Sequence, residues 1–138
     1  MDLLKQEQGS SSGSASRYIF RFRPNGTGVP DVKQIFGNFI TGVTYSGTGT
    51  GIYLVQFSSN HGSLIGFNAS VQSNATGPAQ GFTFEVDTAQ TNLTAGTPGA
   101  VLAIAGVNAS GTRATIASDA NTWILCEAIF SDNTVESP

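Results

Sequence analysis

Residues 17–26 read Arg-Tyr-Ile-Phe-Arg-Phe-Arg-Pro-Asn-Gly, and their alternation decides the fold class. One side of this extended segment is aromatic and the other is mainly basic: Tyr18, Phe20 and Phe22 against Arg17, Ile19, Arg21 and Arg23. A period of two indicates a half-buried β-strand rather than a helix. The Pro-Asn-Gly that follows ends the strand, because proline has no N–H donor and glycine accepts positive φ.

The same pattern recurs along the chain. Further strands are predicted at residues 39–45, 52–57, 64–71, 81–87, 100–107, 112–117 and 122–130. Turn residues separate them, and a longer loop at 25–38 is expected to hold one helical turn at 31–36. We therefore expect an all-β fold, an antiparallel β-sandwich or jelly roll of about eight strands.

Inward-facing apolar residues of these strands predict the core: Phe20, Phe22, Val43, Val55, Phe67, Phe82, Phe84, Ile104 and Ile124. In the fourth strand, four alternating residues are expected on one face: Ile65, Phe67, Ala69 and Val71. The last strand is apolar on both faces, so it lies either inside a sheet or at an edge that meets another subunit. Charged residues make up 11% of the chain, against about 25% in ordinary soluble domains. Both features predict a homo-oligomer, and a trimer is expected.

The N-terminal part has a different composition. Residues 9–16 read Gly-Ser-Ser-Ser-Gly-Ser-Ala-Ser, which is typical of a flexible linker. The chain is thus divided into an extended N-terminal arm, 1–16, and a sandwich domain, 17–138. We expect Leu3 and Leu4 to act as apolar anchors, and Arg17, Arg21 and Arg23 to meet carboxylates of a partner. The opposing hypothesis is that the arginines form a solvated strand face or protect an edge strand by their charge.

Charge and hydropathy exclude several classes of partner. Residues 1–33 carry five basic and three acidic residues, a net charge of +2, whereas 34–138 carry one basic and six acidic residues, a net of −5. An acidic body argues against nucleic-acid binding. No run reaches the ~20 apolar residues of a membrane span, and the N-terminus has no apolar signal region. The protein is expected to be made in a cytoplasm and either kept there or assembled there and released by lysis, not secreted.

The inventory of reactive side chains predicts no enzyme, no cofactor and no metal centre. A single histidine and a single cysteine exclude an internal disulfide and a zinc site by ligand count. His61 is expected to be a solvated turn residue, and Cys126 a small buried hydrophobe. A loop calcium site built from Glu85, Asp87 and Asp119 lacks the usual clustered spacing. Three aromatic residues could form a sugar platform, although core packing is the better interpretation: Tyr45, Tyr53 and Trp123.

The sequence also resembles a class of virion proteins. The resemblance lies in residues 18–26, in residues 37–57, which read Gly-Asn-Phe-Ile-Thr-Gly-Val-Thr-Tyr-Ser-Gly-Thr-Gly-Thr-Gly-Ile-Tyr-Leu-Val-Gln-Phe, and in an apolar last strand ending Ser-Asp-Asn at 131–133. Together these resemble the small β-sandwich proteins that decorate or cement the capsids of tailed bacteriophages. The resemblance implies a structural virion protein on the capsid surface that binds the major capsid protein and often forms a trimer.

Two other functional classes stay open at this point. One is a receptor-binding or fibre-associated module that recognises host-surface glycans, for which exposed aromatic rings in one concave patch are required. The other is a hydrolase on a jelly-roll frame, which the inventory of reactive residues disfavours.

Overall fold

The computed structural model describes residues 15–36, 40–96 and 99–131. In these ranges the chain forms eight β-strands and no helix: β1 (Ala15–Arg23), β2 (Asp31–Phe36), β3 (Ile40–Tyr45), β4 (Ile52–Phe57), β5 (Ser63–Gln72), β6 (Thr83–Val86), β7 (Val101–Val107) and β8 (Trp123–Ser131). Sheet I has the strand order β2-β1-β8-β5, and sheet II has the order β3-β4-β7-β6. All neighbouring strands are antiparallel. The predicted all-β antiparallel sandwich is confirmed.

The core lies between the inner faces of the two sheets. The alternation read at 17–23 holds, since Tyr18, Phe20 and Phe22 are buried while the residues between them point outward. Six of the nine predicted core residues are buried: Phe20, Phe22, Val43, Val55, Ile104 and Ile124. The other three are half-buried and pack against the core: Phe67, Phe82 and Phe84.

Aromatic contacts join the sheets across the core. Phe22 of sheet I meets Tyr53 of sheet II with ring centroids 4.9 Å apart, and Tyr18 meets Phe57 at 4.8 Å. Phe57 also meets Phe130 edge to face at 5.2 Å. Such pairs stabilise by about 0.5–1.5 kcal/mol beyond the burial of their area, so the two sheets are held in one relative position.

Residues 31–36 form an edge strand, and the prediction of a loop with a helical turn there is wrong. The apolar residues Val32, Ile35 and Phe36 have the i, i+3, i+4 spacing of one helical turn, which explains the error. In the structure β2 pairs along β1, and a bulge at Ile19/Phe20 absorbs the irregular spacing. Val32 packs against the core, so sheet pairing overrides local propensity.

Residues 112–117 do not form the predicted seventh strand. Only Arg113 makes a bridge, to Val107, although the turn predicted at 108–111 is present, with a hydrogen bond from the Gly111 N–H to the Asn108 carbonyl. The segment is held instead by buried Ile116 and by the close approach of Gly51, where a Cβ would lie 2.5 Å from the Ala114 carbonyl oxygen. Residues 112–117 are thus held by packing against the turn at Gly51 rather than by regular strand pairing.

A bulge changes one face of β5. The register shifts between Leu64 and Gly66, so Ile65 points outward and is 62% exposed, contrary to the prediction that it shares a face with Phe67, Ala69 and Val71. Beyond the bulge Phe67, Ala69 and Val71 face inward as predicted. An extra residue on one strand reverses the facing of the residue at the bulge.

The remaining predictions concern the last strand and the N-terminal arm. Strand β8 is central, between β1 and β5, which decides between the two positions left open for it. Ala15 and Ser16, assigned to the arm, are the first residues of β1 and pair with Ser131 and Phe130. The rest of the arm, with Leu3 and Leu4, lies outside the described residues.

Candidate functional site

The outward surface of sheet I brings the predicted arginines together with apolar residues. Its members come from three adjacent strands and are here called the arginine face: Arg17, Ile19, Arg21 and Arg23 of β1, Lys33 and Phe36 of β2, and Trp123, Leu125, Glu127 and Ile129 of β8. These residues lie on one side of the sheet, because residues directly opposite one another on neighbouring strands point to the same side. The face exists because β1 and β8 each alternate between the core and the solvent.

Arg17 is already engaged within the molecule. Its Nε donates to Glu127 Oε2 at 2.5 Å, and the guanidinium lies 5.7 Å from the centre of the Phe36 ring. The hydrogen bond from Arg17 holds the pKa of Glu127 below its usual value. The side chain of Arg17 is still 51% exposed, so this pair is a surface ion pair with a small effect on stability.

Arg23 is also engaged. It donates to Asp31 Oδ2 at 2.8 Å and to the Ala120 carbonyl at 3.2 Å. These contacts form one wall of an open cleft of about 250 Å³ that also contains Asp119. Asp119 in turn accepts hydrogen bonds from Thr122 Oγ1 at 2.7 Å and from the Asn121 N–H, so the carboxylates of this cleft already have partners.

Trp123 is covered by two arginines. The guanidinium carbons of Arg21 and Arg23 lie 4.3 and 4.7 Å from the centre of its ring. Both distances fall within the range of cation–π attraction. The ring is therefore a support for the arginines rather than an open platform for a sugar.

Arg21 and Lys33 differ from the other cations of the face. They are direct cross-strand partners, and neither has a carboxylate partner among residues 15–36, 40–96 and 99–131. Like charges directly opposite one another on neighbouring strands destabilise a sheet. The sequence did not reveal this pair, because Lys33 was assigned to the loop at 25–38 and its own strand, β2, was not predicted.

Apolar side chains surround these charges. Ile19, Leu125 and Ile129 are half-buried on the outward side, and three larger residues are more exposed: Ile35 at 58%, Phe36 at 54% and Ile65 at 62%. A sandwich normally presents mostly polar residues outward, so this concentration on one sheet is unusual. The face thus combines unpaired positive charge with exposed apolar area.

The outward surface of sheet II is different. Ile52, Ala103 and Ala105 are buried there as a second small cluster, and a shallow groove of about 300 Å³ over Gly42 is lined mainly by threonine, glutamine, leucine and valine side chains.

Arg113 donates to Glu85 at 2.9 Å and to Asp87 at 2.5 Å. The hydrogen bond from Arg113 lowers the pKa of Asp87, and these two carboxylates raise the pKa of Arg113.

The remaining candidate residues belong to the interior. His61 is buried, 3% exposed, so the prediction of a solvated histidine is wrong; it stacks on Phe130 with ring centroids 4.5 Å apart. Cys126 is buried as predicted, and burial raises the pKa of its thiol. Tyr53 is fully buried, and Tyr45 is half-buried with its hydroxyl 2.6 Å from Thr115 Oγ1.

Desolvation raises the pKa of Tyr53 to about 12, an effect that the nearby backbone of Ile116 opposes. The Tyr53 hydroxyl nevertheless has no hydrogen-bond partner of acceptable geometry in the described part of the chain. The Ile116 backbone is near the hydroxyl, but a contact without hydrogen-bond geometry stabilises little, so the Tyr53 hydroxyl is buried without compensation.

Within residues 15–36, 40–96 and 99–131, no group of three His, Cys, Asp or Glu side chains is arranged to hold a metal ion. The same residues contain no helix long and apolar enough to cross a membrane. No protein-family model, curated protein or solved structure matches the chain.

Proposed function

We propose that this chain is a structural virion protein that decorates the outer surface of a bacteriophage head, where it binds the major capsid protein and copies of itself as a homotrimer. The observation that carries the proposal is the outward apolar area of sheet I. Strand β8 has buried residues on its inner side, such as Ile124 and Phe130, and also presents Leu125 and Ile129 outward.

A surface of this kind favours assembly. Burying apolar area contributes about 25 cal/mol per Å², and exposed patches rimmed by charge are typical of interaction sites. The weakly charged remainder of the surface, with charged residues at 11% of the chain, permits many copies to lie close together with little repulsion. A trimer bound at several points gains further through multivalency.

Glycan recognition is less well supported. It requires exposed rings in one patch, whereas Tyr53 is buried, Tyr45 is bonded to Thr115, and Trp123 lies beneath two arginines. Decoration of a shell requires no open aromatic platform and is therefore the preferred proposal.

The experiment is to purify whole virions from cells that make the protein and to measure its copy number relative to the major shell protein by quantitative mass spectrometry. We expect a fixed stoichiometric ratio on intact heads. Sedimentation of the purified protein gives its oligomeric state independently, and a trimer is expected. Complete recovery of the protein in the particle-free fraction contradicts the decoration role.

A further inference from the structure

We infer that Arg21 and Lys33 form a binding site for carboxylate groups on the surface of another folded protein. This inference rests on the proposed function and assigns its docking surface. The two side chains are opposite each other in the middle of the arginine face, on β1 and β2.

The internal pairing of the other charges leaves this site open. Each of the five described carboxylates has a partner inside its own molecule: Asp31 with Arg23, Glu85 and Asp87 with Arg113, Asp119 with Thr122, and Glu127 with Arg17. Of the five described basic residues, three arginines form these ion pairs. The other two, Arg21 and Lys33, form none of them and are cross-strand neighbours.

In a second copy of the described domain, four of the five carboxylates are held in ion pairs by arginines of that copy, and Asp119 accepts hydrogen bonds from Thr122 and the Asn121 N–H. Glu85 and Asp87, on the outward side of sheet II, are both held by Arg113, so docking there would require an existing ion pair to break. The complementary negative charge is therefore expected on a different protein. In the proposed function, that protein is the shell protein.

The surroundings of the site favour a protein over a nucleic acid. Two unpaired cations are few for a phosphate backbone, which is bound by a basic stripe, and the net charge of −3 repels a polyanion. Phe36 and Ile35, beside the cations on β2, are more than half exposed. Apolar anchors next to charge-assisted hydrogen bonds are typical of protein interfaces.

Trp123 provides a direct signal for binding. It is the single tryptophan of the chain, and Arg21 lies 4.3 Å from the centre of its ring. A carboxylate that binds Arg21 either moves the guanidinium off the ring or lies next to the ring itself. Both changes alter the fluorescence emission of Trp123.

The test is a fluorescence titration of the purified full chain with a short tryptophan-free peptide in which Glu alternates with Leu. The comparison ligands, at matched ionic strength, are the same peptide with Gln in place of Glu, inorganic phosphate, and a single-stranded oligodeoxynucleotide. We expect saturable binding of the Glu peptide and at least roughly tenfold weaker binding of the others, since a charge-assisted hydrogen bond is lost.

Lys33→Gln is the decisive variant, because β1 separates Lys33, on β2, from Trp123, on β8. We expect this variant to bind the Glu peptide about tenfold more weakly. Arg113→Gln is the matched control, since it removes one positive charge from the opposite sheet; it is expected to bind as the parent does once circular dichroism shows that it is folded.

Unchanged binding by Lys33→Gln, equal binding of the Gln peptide, or equal binding of phosphate or oligonucleotide overturns the inference. The titration needs no virion, so the two proposals can fail separately. Peptide binding by a protein absent from virions removes the capsid role and leaves the site. Presence on virions without peptide binding removes the site and leaves the role.

Discussion

The hydroxyl of Tyr18 lies 3.1 Å from Nε2 of His61 in the interior of the sandwich, at the point where β1 meets the loop after β4. The imidazole also stacks on Phe130, nearly parallel at 9°, and the backbone N–H of His61 donates to the Leu93 carbonyl at 2.7 Å. A single buried residue thus links two loops to the aromatic core, through its backbone N–H and its imidazole ring. This role is structural, although the residue type and the turn sequence had indicated a solvent-exposed position.

Truncation of this histidine is expected to destabilise the fold. His61→Ala should lower the free energy of unfolding by about 2–4 kcal/mol, because it removes a stacked ring and leaves a cavity. Tyr18→Phe, which removes only the hydroxyl, should cost about 1 kcal/mol. Urea denaturation monitored by circular dichroism measures both, and equal effects of the two variants would show that the ring of His61 contributes nothing beyond its contact with the Tyr18 hydroxyl.

The thiol of Cys126 should be almost inert in the folded protein. It is 0% exposed, and burial raises its pKa, so both access and the thiolate fraction are low. We expect a thiol reagent such as 5,5′-dithiobis(2-nitrobenzoic acid) to react slowly at neutral pH and rapidly after denaturation. Fast stoichiometric labelling of the folded chain contradicts the central position of β8.

The pair formed by Arg113 and Asp87 should make stability depend on acid pH. The folded-state pKa of Asp87 is lowered, first by the hydrogen bond from Arg113 and next by that from the Gln90 N–H. Its contribution is therefore present above the unfolded-state pKa and is lost as the pH falls through the folded-state pKa. Asp87→Asn should melt below the parent at neutral pH, and the difference should shrink as the solution is acidified; a difference that stays constant with pH contradicts this assignment.

Replacement of the buried Tyr53 hydroxyl should be tolerated or favourable. A buried hydroxyl without a partner costs about 1–3 kcal/mol of desolvation, so Tyr53→Phe should leave the free energy of unfolding unchanged or raise it by up to about that amount. Chemical denaturation is the measurement. A clear loss of stability would show that the hydroxyl is bonded, with the Ile116 backbone as the nearest candidate.

The adjacent cations of the arginine face should lower the stability of the free protein slightly. Lys33→Gln removes the repulsion with Arg21, so the melting temperature of the unbound chain should rise, by an amount corresponding to a few tenths of a kcal/mol for an exposed pair. The gain should shrink at high salt, which screens the repulsion. A stability loss at low salt would show that Lys33 has a favourable partner.

The sequence allowed the fold class and most of the core to be predicted where the alternation was clean. Residues 82–86 are the clearest case, because three apolar residues face the core and the exposed Thr83 and Glu85 face outward. The predictions failed where the period was broken. Bulges at Ile19/Phe20 and at Leu64/Gly66 shift the register by one residue, and the alternation of apolar residues does not mark where they occur.

The candidate site was predicted only in part, for a reason of topology. Alternation placed Arg17, Arg21 and Arg23 on one outward face, and the structure agrees. Their partners come from distant parts of the chain, as in the contact of Arg17 with Glu127. The spacing of residues along the sequence does not predict contacts of this kind. Arg21 has no carboxylate partner among the described residues, because Arg17 holds Glu127 and Arg23 holds Asp31. Only the folded structure shows these pairs.

The order of strands in sheet I has a consequence for how the chain is made. β1 pairs with β8 in the middle of sheet I, so β1 is synthesised well before the residues around Ile124 that complete its sheet. All four strands of sheet II have been synthesised by residue 107. During translation, the edge of β1 that pairs with β8 therefore remains unpaired, and sheet II can form first. Slow synthesis of residues 108–131 extends the period in which this strand edge is open to aggregation.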